Sequence, residues 1–289
     1  MSSTRIGFLT LLTMIAFAGN SVLCRIALKH TRIDAASFTS IRLVSGAVVL
    51  WVIASFFRSD STGRGNWISA FALFAYAAGF SFAYISLTAA TGALLLFGAV
   101  QATMIGHGIW TGERFHKQQF VGLILAFGGL VGLLLPGLSA PPLAGSVLIL
   151  IAGVAWGVYS LRGKGTGNPT RVTAGNFLRA SLFAVALSLM LNSSGNLDSV
   201  GIWYAIASGA VASGLGYAIW YSVLPALKAT NAATVQLSVP VFAAFGGIII
   251  LGESVTVRFL LASLAILGGI ALVILSKSHR TGTQPSRST

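Results

Sequence analysis

Apolar blocks follow one another through this chain from Ile6 to Leu275, and nearly every charge is confined to the short gaps between them. Each block runs about 20 residues, which as α-helix rises ~30 Å, the thickness of a bilayer's hydrocarbon core. Only 8% of the residues are charged and 55% are hydrophobic, whereas a water-facing surface needs roughly 25% Asp, Glu, Lys and Arg. Ten spans follow, at 6–28, 35–57, 67–89, 91–111, 117–135, 143–162, 173–192, 199–223, 230–251 and 258–276. Pro136-Gly137, Pro141-Pro142 and Asn168-Pro169 mark turns between them. From Lys277 the chain turns polar, and residues 277–289 are expected to be a disordered tail.

Arg5, the run from Ile6 and the triplet Ala16-Phe17-Ala18 together look like a cleavable leader. Apolar character resumes through Val22 and Ile26, however, so the segment reads as one full span. The excess of 18 Lys+Arg over 5 Asp+Glu is scattered among loops, which argues against a nucleic-acid partner and for a topology signal. With both termini on one side, Arg25, Lys29, Arg32 and Arg258 fall on the far side and Arg42 and Arg179 within spans, leaving 12 of the 18 on the terminus side. Basic loops stay inside, so both termini are expected in the cytoplasm of a bacterium, with the chain in its inner membrane. Cys24 stands alone in an apolar stretch and reads as packing; no metal site or cofactor is expected.

An internal repeat decides the architecture. Ala90-Thr91-Gly92-Ala93 is echoed by Ala229-Thr230-Asn231-Ala232 at an offset of 139, Gly112-Glu113 by Gly252-Glu253 at 140, and Arg42 by Arg179 at 137. Five spans per copy is odd, so the second copy enters the membrane from the opposite side. The expected fold is therefore all-α and integral to the membrane: ten transmembrane helices as two inverted five-helix repeats, 1–139 and 140–276, around a central cavity. Secondary transporters recurrently use this plan, with the substrate site at the seam of the halves.

At these residues the sequence resembles the EamA type of the drug/metabolite transporter superfamily. The second half carries its pattern in Trp156-Gly157, Arg179, Pro240 and Leu251-Gly252-Glu253. The first half departs from it, with Ala18-Gly19 for Trp-Gly, Gln101 for the proline and Thr111 before Gly112-Glu113. Within the superfamily the chain is most similar to the bacterial YddG-type exporters, the run Gly216 to Tyr221 contributing. The resemblance implies a basket of ten helices and export of aromatic or other neutral amino acids.

All five acids, Asp34, Asp60, Glu113, Asp198 and Glu253, map to loops or span ends, which leaves no intramembrane carboxylate for a proton relay. Facilitated diffusion or exchange is therefore expected. His107 reads as a mid-membrane histidine bonded to a neighbouring helix. Arg42 and Arg179 sit about two turns inside their helices, where each can meet a substrate carboxylate, snorkel, or bind carbonyls at a gate; the gating role is preferred. Glu113 and Glu253 precede a helix each and read as caps of its free N–H groups. Pro240 reads as a mid-span break and hinge.

The neutral polar and ring residues make the better cavity. Tyr76, Phe80 and Tyr84 recur every fourth position on the third helix, and Ser213, Tyr217 and Tyr221 on the eighth. Phe97 and Gln101 correspond to Gln236 and Pro240 at the offset of 139. Asn20, Trp156 and Tyr159 complete the set. Amides and hydroxyls can bind a zwitterion's ends while rings stack on an apolar side chain, although the same residues also anchor interfaces and glue helices. Gly108-x-x-x-Gly112 and Gly128-x-x-x-Gly132 read as packing motifs. The expected partners are a small-molecule amino acid and the bilayer, with the chain acting as a monomer. A nucleotide-sugar or lipid-linked sugar carrier is the alternative within this plan, but a phosphate ligand asks for more inward cations than Arg42 and Arg179. An intramembrane enzyme would need paired carboxylates, a metal cluster or an activated nucleophile, and no such motif is present.

Overall fold

The computed structural model describes residues 2–56, 63–112, 117–137, 140–163, 168–191, 198–227, 232 and 235–281, with side chains to residue 274. These residues form helices and no strand: α1 (Ser3–His30), α2 (Ala35–Phe56), α3 (Trp67–Tyr84), α4 (Ala89–Trp110), α5 (Lys117–Leu134), α6 (Leu143–Arg162), α7 (Pro169–Met190), α8 (Ser199–Ala226), α9 (Val239–Leu251) and α10 (Val257–Thr281). All but α9 are long and apolar enough to cross a bilayer. Large apolar side chains such as Phe56, Trp110, Leu189 and Trp203 point outward, the reverse of a water-soluble protein. Helix α10 continues to Thr281, past Lys277, and residues 282–289 lie outside the described residues.

Short polar side chains start the helices by taking up orphan N–H groups. Asn66 accepts from Ser69 N–H at 2.8 Å, Thr88 from Thr91 N–H at 3.2 Å, and Asn168 from Thr170 N–H at 3.1 Å, with Pro169 in the first turn. Asp198 accepts from Arg32 N–H and Gly201 N–H, both at 2.6 Å, so it caps α8 and ties that end to the α1–α2 turn. These backbone donors, Arg32 first, hold its carboxyl below the usual aspartate range.

Two spans depart from regular helix, both in the second half. Helix α8 carries a π-helical segment, Ala207–Leu215, built of small residues. The ninth span, expected to be continuous over 230–251, is interrupted by a turn at Leu237 and Ser238, between helical Val235-Gln236 and the helix that restarts at Val239. Pro240 thus sits in the first turn of α9, where its missing N–H costs nothing, and the interruption precedes it rather than lying at it in mid-helix.

The packing obeys a twofold rule. The largest contacts include α2 with α7 and α5 with α10, each of which maps onto itself when every helix is exchanged for its counterpart five places on. The contact of α4 with α9 also maps onto itself, and the other major contacts map onto one another: α3–α6 onto α8–α1, α4–α6 onto α9–α1, and α3–α7 onto α8–α2. The two halves are therefore inverted copies interleaved about a shared axis, with α5 and α10 set to one side.

Glycine permits the closest approaches. A Cβ on Gly153 would meet Leu96 O of α4 at 2.6 Å, and one on Gly122 would meet Gly269 O of α10 at 2.5 Å. In the two Gly-x-x-x-Gly motifs Gly112, Gly128 and Gly132 face open space, and it is Gly129, one position on from Gly128, that meets Ala265 and Ile266 of α10. Replacing Gly122 with Val should therefore destabilise the detergent-solubilised protein by about 1–3 kcal/mol, the usual cost of overpacking, seen as a lower melting temperature. Gly128→Val should leave it unchanged, and equal melting of the two variants would contradict this packing.

Candidate functional site

A cavity of about 700 Å³ opens at the seam of the halves, within the range of small-molecule sites. Its mouth lies between the ends of α3, α6, α7 and α8, at Asn66, Arg162, Gly163, Pro169 and Leu224, so by the parity of ten spans it faces the side of the termini. Below it a much smaller chamber, about 20 Å³, is lined by Asn20, Tyr76, Phe80, Phe97 and Ser213. Trp156, Tyr217 and Gln236 line both spaces.

Ring stacking builds the floor. Trp156 lies nearly parallel to Tyr217 at 5.2 Å between centroids and to Tyr159 at 5.4 Å, and tilts against Tyr76 at 4.8 Å. Phe17 closes on Tyr217 at 5.5 Å. One wall is a hydroxyl and amide chain: Tyr159 donates to Thr173 at 3.4 Å, Thr173 to Tyr221 at 3.3 Å, and Asn176 Nδ2 to Tyr159 Oη at 3.5 Å. Gln101 and Gln236 face the cavity from α4 and from the helical residues just before the turn that precedes α9. The cavity body thus offers neutral donors, acceptors and π faces, with Arg162 as the cation at its rim. Among the described residues no three His, Cys, Asp or Glu side chains come together as metal ligands.

The opposite side is closed by charge. Arg25 Nη1 donates to Tyr84 O at 2.9 Å and Ile85 O at 2.8 Å, the C-terminal carbonyls of α3. Its Nε faces Glu253 Oε1 at 3.4 Å, an ion pair without hydrogen-bond alignment. The other carboxylate oxygen accepts from Ala89 N–H at 2.9 Å, the first residue of α4. Each charge thus meets the complementary end of a helix dipole, and α1, α3, α4 and the α9–α10 turn are tied together.

The structure brings together Asn20, Tyr76, Phe80, Phe97, Gln101, Trp156, Tyr159, Ser213, Tyr217, Tyr221 and Gln236 at these two spaces. Tyr84 does not join them: it is fully buried one turn past Phe80, its hydroxyl directed to Ala89 O at 3.4 Å and its ring against Gly92. Arg42 lies behind the ring wall and Arg179 outside the cavity altogether, bonded to Arg64 O and Gly175 O at 2.5 and 2.9 Å and stacked on Trp67. Glu253 caps α4 instead of the helix that follows it, because the chain folds back on the other half, and Glu113 lies outside the described residues. Pro240 is buried away from both spaces. His107 is exposed in the last turn of α4, not at mid-membrane. Phe17, Thr173, Asn176 and Trp220 also line the cavity; the one-turn spacing of Thr173 and Asn176 was their sequence signal.

The sequence pattern of the EamA-like transporter family matches residues 4–135 and again residues 143–275. An uncharacterized protein of Pseudomonas aeruginosa is 54% identical over 285 residues, 98% of this chain and 99% of its own. The uncharacterized transporter YoaV of Bacillus subtilis is 22% identical over 258 residues, 84% of this chain and 88% of its own. The threonine/homoserine exporter RhtA of Salmonella typhimurium is 31% identical over 157 residues, 51% of this chain and 52% of its own. A crystal structure at 17% sequence identity superposes with a TM-score of 0.67 over 95% of this chain and 99% of its own, a likeness of fold. With its pattern matched once over each of the two halves that the helix contacts relate, the chain belongs to the EamA-like transporter family of multi-pass membrane proteins.

Proposed function

We propose that this chain exports neutral amino acids, aromatic ones among them, from the cytoplasm by alternating access and without ion coupling. One observation carries the reading: a cavity open on a single side, whose body pairs neutral amide and hydroxyl groups with a stack of rings. A zwitterion's ends are met by hydrogen bonds and its side chain by the faces of Trp156 and Tyr217. The resemblance to YddG-type exporters and the threonine/homoserine exporters among the relatives agree with this class. A sugar carrier ranks lower because Arg162, at the rim, is the one cation among the described residues that line the cavity, too little for a diphosphate.

The positive-inside count puts the termini in the cytoplasm, so the open mouth is the cytoplasmic one and each repeat, 1–139 and 140–276, supplies half of the path. The Arg25–Glu253 cluster is the outer gate. The offset of 137 that relates Arg42 to Arg179 carries Arg25 to Arg162, which in the open mouth rests on Ser69 Oγ at 3.2 Å. In the alternate state Arg162 takes Arg25's part, drawing in the C-terminal carbonyls of α8 around Tyr221 while the outer cluster parts. Pro240, at the restart of α9, supplies the hinge.

Two outcomes follow. Reconstituted protein should release labelled phenylalanine, tryptophan or threonine from proteoliposomes. Trp156→Ala should weaken the aromatic substrates by about 2- to 10-fold, the worth of one ring stack, and threonine less; absence of flux with every amino acid would refute the reading. Glu253→Gln should leave Arg25 unpaired and raise the open population of the outer gate by about 5- to 30-fold. In a Cys24→Ser background, Phe97→Cys would then react correspondingly faster with an impermeant thiol reagent from the far side. Unchanged labelling would remove the cluster from the gate.

A further inference from the structure

Arg42 is the buried charge for which the transport path as described has no use. It stands seven residues into α2, about 10 Å of helix rise from Ala35, and is 1% exposed, so its guanidinium does not snorkel to an interface. The described carboxylates are all engaged elsewhere: Asp34 and Asp198 cap helices in far-side turns, and Glu253 faces Arg25. Arg42 is held instead over the rings of Tyr76 and Phe80, at 5.2 and 4.7 Å, and donates Nη2 to Tyr76 Oη at 3.0 Å. Its Nε and Nη1 are buried without a partner.

Those two rings are the wall of the deep chamber, so the unpaired cation lies directly behind it. In the chamber, Ser213 Oγ is also buried without a partner. Tyr76 Oη accepts from Asn20 as well, at 3.5 Å, and Asn20 in turn accepts from Ser208. The π-helical turn of α8 packs its Gly209 on the carbonyl of Arg42; such turns concentrate at functional sites. A buried cation at membrane depth with two idle nitrogens asks for an anion, and none of the described carboxylates supplies one.

We propose that Arg42 is the receptor for a carboxylate on the transported solute, reached when the Tyr76 hydroxyl yields its place at the floor of the cavity. Resting on the amino-acid reading above, this makes a free carboxylate the obligatory recognition element and Tyr76 the lid over it. Solutes that keep the ring and amine but lack the carboxylate are rejected, because they leave the guanidinium unpaired in a dry site.

Binding to the full-length protein in detergent, followed by quenching of tryptophan fluorescence, tests this with phenylalanine, phenylalaninamide and phenylpropionate. The parent should prefer phenylalanine to the amide by about 10- to 100-fold, the worth of one charge-assisted hydrogen-bond pair. Arg42→Gln should lose that preference, a change a merely structural arginine would not cause, and Arg42→Lys should keep part of it. Should the Gln variant fail to fold, the parent's acid-over-amide ratio and the Lys variant decide. Amino-acid binding with no acid-over-amide preference overturns the role of Arg42 and leaves the transport reading intact. Binding of phenylpropionate but no amino acid upholds Arg42 and removes amino acids as substrates. No binding of either compound overturns both.

Discussion

A peptide group inside a bilayer has no water to turn to, so a spanning segment stays helical unless protein or a cavity encloses its irregular backbone. This constraint locates the working parts of the molecule. Helices α3 and α4 of the first half are regular, whereas the eighth span contains the π-helical turn at Ala207–Leu215 and the ninth is interrupted at Leu237–Ser238, just before α9. Both irregularities border the cavity, through Ser213 and Gln236. Two copies of one five-helix plan thus differ in backbone where they meet the transport path.

Charge is distributed on the same logic. Carboxylates stay at span ends, where a helix N-terminus can receive them, as Ala89 N–H receives Glu253. The far side is then tied by contacts that are each modest but share members: one arginine, one glutamate and the facing ends of α3 and α4. On the terminus side the comparable cation, Arg162, meets neutral groups among the described residues, Ser69 and Asn66. An imbalance of ion pairing between the two mouths is what a one-sided opening requires.

The span pattern and the repeat were legible because both are properties of spacing: block length fixed the number of crossings, and an odd repeat forced inversion. Rings one turn apart likewise marked the faces of α3 and α8 that meet the cavity, from Tyr76 to Phe80 and from Ser213 to Tyr221. The face ends sooner on α3 than spacing suggests, since Tyr84 passes beneath the floor into the seal. What spacing could not convey was partnership across the fold. Glu253 caps a helix 164 positions away along the chain, Arg179 turns to the Arg64 carbonyl, and the α5 glycines that pack on α10 are Gly122 and Gly129, neither of them in the motif. The π-helical turn leaves no mark in a run of Ala, Ser and Gly, residues equally at home in an ordinary helix.

Alternating access requires the two mouths to move reciprocally, and pulsed electron-electron resonance between spin labels measures that motion. In a Cys24→Ser background, one pair of labels at Thr31→Cys and Ser254→Cys reports the far side, and another at Gly163→Cys and Leu227→Cys reports the open mouth. A saturating neutral amino acid should lengthen the first distance and shorten the second in the same fraction of molecules. Both distances unchanged, or both moving in the same sense, with an amino acid that the protein transports would contradict the account.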